Sequence, residues 1–287
     1  MPRVTVVVAT YDWSSVLPYS VGSALAQTFA DLEVLVVGDG CTDDSEEVVG
    51  RIGDPRVRWI NLPRNFGQAA WPNNEGLRQA RGELVAYLGH DDLWLPHHLA
   101  VLVAAADAGA DLAYAITASV DAQGGEPVPA PRLPHPYRPG MWIPPSCVLH
   151  RREAALAVGG WRDYRELDVD PEADLWRRIH DAGGRVAFVP RLGAVKFPAA
   201  YRRDVYRVRP CHEQAAWSER LRTEPDLEAT LLARMLAASQ AAQRPPLAVR
   251  LRARLAAWKR GAWGAVHARG LHTIEARRKF KGLPPRP

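Results

Sequence analysis

Tyr87-Leu88-Gly89-His90-Asp91-Asp92-Leu93-Trp94 decides how the rest of the chain is read. Leu84 to Leu88 is an unbroken apolar run of strand length, and it leads into two adjacent carboxylates. Side-by-side carboxylates are not buried without a cation or hydrogen bonds to offset their lost hydration. At the C-terminal end of a strand they stand where open α/β sheets bind ligands. Leu93-Trp94-Leu95-Pro96 then reads as a turn into the next helix. The bland alternative is that Asp91 and Asp92 only cap that helix.

Working outward, Val4–Val8 is a continuous β-branched run with one Thr, the pattern of a buried parallel strand, Leu32–Val37 reads as a second buried strand, and Val57–Leu62 is a third strand. Ser14–Gln27 carries Val16, Leu17, Val21 and Leu25 at helical spacing, and a further helix starts within Asn73–Ala80. Between them, Gly38-Asp39-Gly40 allows a tight turn, and Thr42, Asp43 or Asp44 is placed to cap the helix that follows. This alternation predicts an α/β fold with a doubly wound, mostly parallel sheet flanked by helices. No GxGxxG follows the first strand, which disfavours a dinucleotide-binding domain.

Several segments, taken in order, resemble family 2 glycosyltransferases of GT-A fold. They are Val6-Val7-Val8-Ala9-Thr10-Tyr11, Val36-Val37-Gly38-Asp39-Gly40-Cys41-Thr42-Asp43, Asn65-Phe66-Gly67, Asn74-Glu75-Gly76-Leu77, Ala80-Arg81-Gly82-Glu83 and Leu88-Gly89-His90-Asp91-Asp92. The likeness is close over about the first hundred residues and looser to about His212. It implies a sugar transfer from a nucleotide diphosphate-sugar donor to an acceptor hydroxyl, with inversion and with help from a divalent metal, Mg²⁺ or Mn²⁺. Thr10, Tyr11 and Asp39 would line the base and ribose pocket; ordinary packing for Tyr11 and turn-shaping for Asp39 are the alternatives. Asp91 would approach the ribose or the metal, and Asp92 would coordinate the metal. A hard cation held by carboxylate oxygens suits the charge that grows on a departing diphosphate.

The sequence departs from the family pattern at three places. Gly89 stands where a first Asp of the DxD motif is common, Gly38 replaces one of two acids after the second strand, and Asn73 replaces a frequent Arg. The metal would then lean on Asp92, completed by His90, His212 or water, although His90 also reads as a solvent-facing or backbone-bonded histidine.

In the second half, Leu99–Ala108 reads as a helix, and Leu112–Ile116, Ser146–His150 and Arg185–Val189 as strands. The proline-rich stretch from Gly124 to Pro145 reads as a long loop over the acceptor face. Arg151–Val158, a short helix, leads to Gly159-Gly160-Trp161, another likeness to the family. In Asp170-Pro171-Glu172-Ala173-Asp174-Leu175-Trp176, alignment on Asp174-Leu175-Trp176 implies Glu172 as the general base, with Asp170 as its rival. A helix N-terminus favours an ionised carboxylate there, and capping alone would also explain these acids. Trp176 reads as core and Arg177 or Arg178 as solvated. Tyr206-Arg207-Val208-Arg209-Pro210-Cys211-His212 has the composition of a loop that closes on a diphosphate.

The predicted organisation is a catalytic domain over 1–215, with a nucleotide-sugar half to about 115 and an acceptor half from 116, and a helical, basic extension over 216–287. The net charge of +5 is uneven: from Arg244 onward twelve Lys/Arg face one acid, Glu275, leaving residues 1–243 acidic by six charges. An acidic body with a basic tail does not suggest nucleic acid as a partner. Leu247, Leu251, Leu255, Trp258 and Ala262 would give a basic amphipathic helix, suited to an anionic membrane surface or to packing on the body. Three scattered cysteines suit a reducing cytosol, and Met1–Ala9 reads as a strand rather than a secretory signal. Cytoplasmic placement, with peripheral attachment to the membrane, is therefore expected. The acceptor is left open between a saccharide, a lipid-linked group and a small molecule. Two rivals remain: a nucleotidyltransferase, disfavoured by the lack of cations in Ala9–Ser15, and a non-catalytic nucleotide-sugar-binding module.

Overall fold

The computed structural model of the chain describes residues 1–122, 127–130, 136–243 and 278–283. Valine-rich runs form its centre. β1 (Val4–Thr10) and β2 (Leu32–Gly38) are buried along almost their whole length, whereas β3 (Val57–Asn61) is half-exposed at the sheet edge. With β4 (Leu84–Tyr87) they pair in parallel in the order β3-β2-β1-β4. The connections are α1 (Leu17–Leu25), α2 (Ser45–Ile52) and α3 (Ala70–Gln79).

The period of two along these strands divides the core. Val4, Val6 and Val8 pack with α1 and α2 on one face, and Val7, Leu35 and Val37 pack with α3 on the other. Gly76 makes the second contact close: a Cβ there would lie 2.4 Å from Val7 Cγ1, so the helix sits against β1 only because this residue has no side chain.

The second half comprises β5 (Leu93–Trp94), α4 (His98–Asp107), β6 (Leu112–Ser119), β7 (Val128–Ala130), β8 (Val148–Arg151), α5 (Arg152–Ala157), α6 (Pro171–Asp181) and β9 (Val186–Lys196). The sheet continues from β4 as β8-β6-β9-β5, with β7 paired to β6. The expected α/β class holds, but here the pairing is mixed: β8 runs antiparallel to β4 and β6, β9 runs parallel to β6, and β5 is antiparallel to β9.

Several local expectations change for identifiable reasons. Leu93-Trp94 is a short strand rather than a turn, because β9 offers it a backbone partner. The predicted strand at Ser146 begins as a 3₁₀ turn over Pro145–Cys147. β9 runs seven residues past the predicted end at Val189. Pro190 and Arg191 are exposed where the β6–β9 register shifts, and that irregularity lets a proline lie inside the strand.

After β9 come α7 (Val205–Val208), α8 (His212–Thr223) and α9 (Leu227–Gln243). α8 spans the expected domain boundary at residue 215. α9 buries Leu227, Leu231 and Met235 in one cluster with Leu93, Ile116 and Leu192, so its apolar stripe closes the β5–β9 end of the body. The predicted basic amphipathic helix over 247–262 lies outside the described residues, as do 123–126 and 131–135 of the proline-rich connection. Among the described residues, no helix is long and apolar enough to cross a membrane.

Candidate functional site

The C-terminal ends of β1, β2 and β4 lie side by side because the three strands pair in parallel, and their end residues meet there. The Asp39 amide donates to Thr10 O at 2.8 Å. The Asp39 carboxylate accepts the amides of Phe66 (2.9 Å) and Gly67 (2.9 Å) and is only 4 % exposed. It therefore shapes the Asn65-Phe66-Gly67 turn. Burial raises it above the usual carboxylate range despite those amides. Gly40 fits this crossing with φ +65° and a virtual Cβ 2.2 Å from the Arg64 carbonyl carbon.

Thr10 is buried, and its hydroxyl is 2.9 Å from His90 Nδ1. Tyr11 beside it is half-buried. His90 is thus neither solvent-facing nor backbone-bonded: Trp13 sits edge-on to it at 5.3 Å, and burial pushes it down to about 4, so it is neutral at neutral pH.

The two adjacent acids differ sharply. Asp92 is fully buried: Oδ2 accepts from Lys196 Nζ at 2.8 Å and from the Ser146 hydroxyl, and Oδ1 accepts from Phe197 N at 3.0 Å. Those three donors bind the carboxylate to which the family resemblance gives the metal. The physical reason is the extension of β9, which carries a lysine to the end of β4. Asp91 keeps a small exposed surface, and its main-chain oxygen accepts from Gln214 of α8 at 3.1 Å. Burial, and then the charge of Asp92, hold the Asp91 carboxyl above the usual range. Burial alone would lower the Lys196 ammonium, but the charges of Asp92 and Asp91 outweigh it and hold the lysine charged.

Glu172 lies in the first turn of α6, partly buried, and its Oε1 accepts from Trp142 Nε1 at 2.7 Å. Burial raises its carboxyl, Asp170 adds to the rise, and Trp142 and Lys196 oppose it. One ammonium is therefore felt by Asp91, Asp92 and Glu172 alike. Asp170 is the exposed N-cap residue of α6 and makes no side-chain cap bond. Asp174 is fully buried and paired with Arg178 at 2.8 Å. Arg178 also donates to the carbonyls of Val158 and Gly160, so it is a buried tie and not a solvated residue, whereas Trp176 is core as expected.

His212 opens α8 and is exposed. Among the described residues, Asp91, Asp92 and His212 do not form a set with ligand atoms within 4.8 Å of one another; Asp12, Cys41 and Asp43 do. That second set is knitted internally, since Asp12 Oδ1 accepts Thr42 N at 2.7 Å and Asp43 Oδ2 accepts Ser14 N at 3.1 Å. The stretch expected as a loop over Tyr206–His212 instead holds most of α7 and the start of α8, and its Tyr206 packs edge-on against Trp13. Sequence reasoning gave no role to Lys196, Ser146, Trp142 or Gln214, all distant in the chain from the acidic residues they contact. The available signal was Lys196 itself, a lone lysine at the end of an apolar run.

The curated relatives match only part of this chain. The succinoglycan biosynthesis protein ExoO of Rhizobium meliloti is 41% identical over 114 residues, 39% of this chain and 32% of its own length. A GalNAc(5)-diNAcBac-PP-undecaprenol beta-1,3-glucosyltransferase of Campylobacter jejuni is 36% identical over 112 residues, 38% of this chain and 36% of its own. The matches thus span about a third of the length of these relatives. Among solved structures, S. aureus TarS superposes with a TM-score of 0.60 at 19% identity, over 82% of this chain and 43% of that one. The Pyrobaculum calidifontis mannosyltransferase PcManGT, in complex with GDP-Man and Mn²⁺, gives 0.55 at 19% identity, over 98% of this chain and 85% of that one. These two likenesses carry the GT-A-type fold. The family model described as glycosyl transferase family 2 matches residues 5–208, well over half of the chain, and the chain belongs to that family.

Proposed function

We propose that this protein is an inverting glycosyltransferase that moves a sugar from a nucleotide diphosphate-sugar to a hydroxyl of a lipid-linked saccharide. The observation that carries the reading is the single electrostatic unit made by Asp91, Asp92 and Lys196 at the strand ends and Glu172 in the first turn of α6. Two relatives support the acceptor class by name: the Campylobacter enzyme above and an Escherichia coli protein called UDP-Glc:alpha-D-GlcNAc-diphosphoundecaprenol beta-1,3-glucosyltransferase WfaP.

In this reading Glu172 takes the proton of the acceptor hydroxyl while that oxygen attacks the anomeric carbon. The new C–O bond forms as the bond to the donor diphosphate breaks, and one in-line displacement inverts the centre. A raised carboxyl suits a base, because proton transfer is most effective when the pKa lies nearer the working pH. Trp142 keeps Oε1 oriented, and Asp39 holds the turn beside the nucleotide.

A divalent cation fits Asp91 better than Asp92. Asp91 is a hydration-starved carboxylate that a cation would discharge, whereas Asp92 already has three donors. When bound, Mg²⁺ or Mn²⁺ would supply charge neutralisation for the departing diphosphate, with Asp91 as its protein ligand and His212 as a further candidate.

The test is turnover of UDP-, GDP- and dTDP-sugars on a lipid-linked saccharide with and without Mn²⁺, with product configuration read by proton NMR. An inverted product is expected. Retention would remove Glu172 from its role, and nucleotide binding without transfer or donor hydrolysis would make the chain a binding module.

A further inference from the structure

The family match ends at residue 208, yet a segment from the far end of the chain reaches the donor side of the site. Arg278 Nη1 donates to Gly67 O at 2.6 Å, and the Gly67 amide donates in turn to Asp39 Oδ2 at 2.9 Å. The approach is close: Gly67 has φ +77°, and a Cβ built there would lie 3.2 Å from Arg278 Nη1. The arginine is 6 % exposed, and its charge is felt by both Asp39 and Tyr206. Arginine is rarely buried without a specific partner, and here the partner is the turn that holds Asp39.

The residues after Arg278 are tied to the opposite wall. Asp204 N donates to Phe280 O at 2.7 Å, and a Cβ on Gly282 would lie 3.2 Å from Asp204 Cα. Asp204 (φ 52°) and Arg209 (φ 52°) are left-handed residues bracketing α7, and Arg209 lies 3.6 Å from Asp12, itself at φ 41°. These are the non-glycine residues with positive φ among those described. Such strain persists where surrounding contacts hold it. The segment 278–283 thus joins the Phe66–Gly67 turn to α7 across the site.

We propose that Arg278 is a positioning residue for the nucleotide end of the donor, and that the C-terminal segment completes the donor pocket. The inference rests on the donor reading above. By clamping the Gly67 carbonyl, Arg278 keeps both turn amides on Asp39 and keeps that wall in register for base and ribose. The substrate part affected is the nucleoside diphosphate, not the acceptor.

The experiment uses the full chain and three variants, Arg278→Ala, Arg278→Lys and, at an exposed neighbour, Lys279→Ala. UDP, GDP and dTDP are titrated calorimetrically, and donor KM, acceptor KM, kcat and ligand-free Tm are measured. Loss of one charge-assisted hydrogen bond should raise Kd and donor KM about tenfold in Arg278→Ala, with kcat at saturating donor and acceptor KM within about twofold of wild type. Arg278→Lys should recover part of the affinity, and Lys279→Ala should match wild type. An unchanged Kd in Arg278→Ala overturns the assignment. So does a rise in Kd accompanied by equal losses in kcat and ligand-free Tm, which is what a merely structural arginine would give. A wild-type protein that binds none of the three nucleotides overturns the donor reading itself, and this assignment with it.

Discussion

At the end of β2, Asp39 takes its hydrogen bonds from the main-chain amides of Phe66 and Gly67, whereas Asp92 after β4 and Glu172 on α6 take theirs largely from the side chains of Lys196, Ser146 and Trp142. The first arrangement belongs to the turn and survives most side-chain changes. The second depends on individual residues brought in from other elements, and each can be removed by one substitution. Arg278 apart, the Asp39 turn should therefore be robust to mutation, and the Asp92 and Glu172 contacts brittle.

The largest effect is expected at the base. Glu172→Gln should lower kcat by roughly 10²–10⁴-fold with an unchanged circular-dichroism melt, whereas Asp170→Asn should cost no more than about threefold. Equal losses in the two variants would break the assignment of the proton to Glu172.

Next comes the buried pair. Removing one partner of a buried ion pair leaves an uncompensated charge, so Asp92→Asn and Lys196→Gln should each cost about 3–5 kcal/mol in urea unfolding. The double variant should lose clearly less than the sum, because neither charge is stranded. If Asp92→Asn kept its urea midpoint and lost only Mn²⁺ stimulation, Asp92 would be a metal ligand and the contrast with Asp91 would fail.

A smaller effect tests the Trp142 contact. Activity should fall on the acid side as Glu172 becomes protonated, with a midpoint above the ordinary glutamate value because its carboxyl is raised. Trp142→Phe removes a donor that favours the ionised form, so the midpoint should move to higher pH, with loss at neutral pH of less than about tenfold. A midpoint that moves down, or does not move, would detach Trp142 from the base.

The smallest expected change is in acid stability and concerns three buried histidines, of which His90 lies beside Thr10 in the site. Burial pushes His90, His98 and His150 down to about 4, about 3 and about 4. Unfolded histidines titrate near ~6.5, so below that the unfolded chain binds more protons than the folded one. The stability tied to these groups is complete above about pH 6.5 and is lost as pH falls toward their folded values. Urea midpoints at pH 7.5 and 5 should show the drop. His98→Leu, at a site where neither ring nitrogen has a hydrogen-bond partner among the described residues, should shrink it.

The parallel first half of the sheet was legible because β1 and β2 are valine-rich runs with turn residues at their ends. Asp39, Asp91 and Asp92 could be placed at strand ends for the same reason. Whether a carboxylate there is open or already satisfied was not legible: that depends on Lys196, 104 residues further along. The antiparallel β8 and the full length of β9 were equally hidden, since β8 is four residues long and Pro190 reads as a break.

Local pattern by itself determined the α/β class, the succession of the first four strands along the chain and the positions of the acids, because hydrophobic periodicity and turn chemistry act over a few residues. Tertiary structure alone decided that Asp92 is bound to Lys196, that Glu172 carries the Trp142 bond and that Arg278 reaches Gly67. Those partners are chosen by how strands and loops pack, and a side chain's charge state follows from the neighbours and solvent that the packing leaves it.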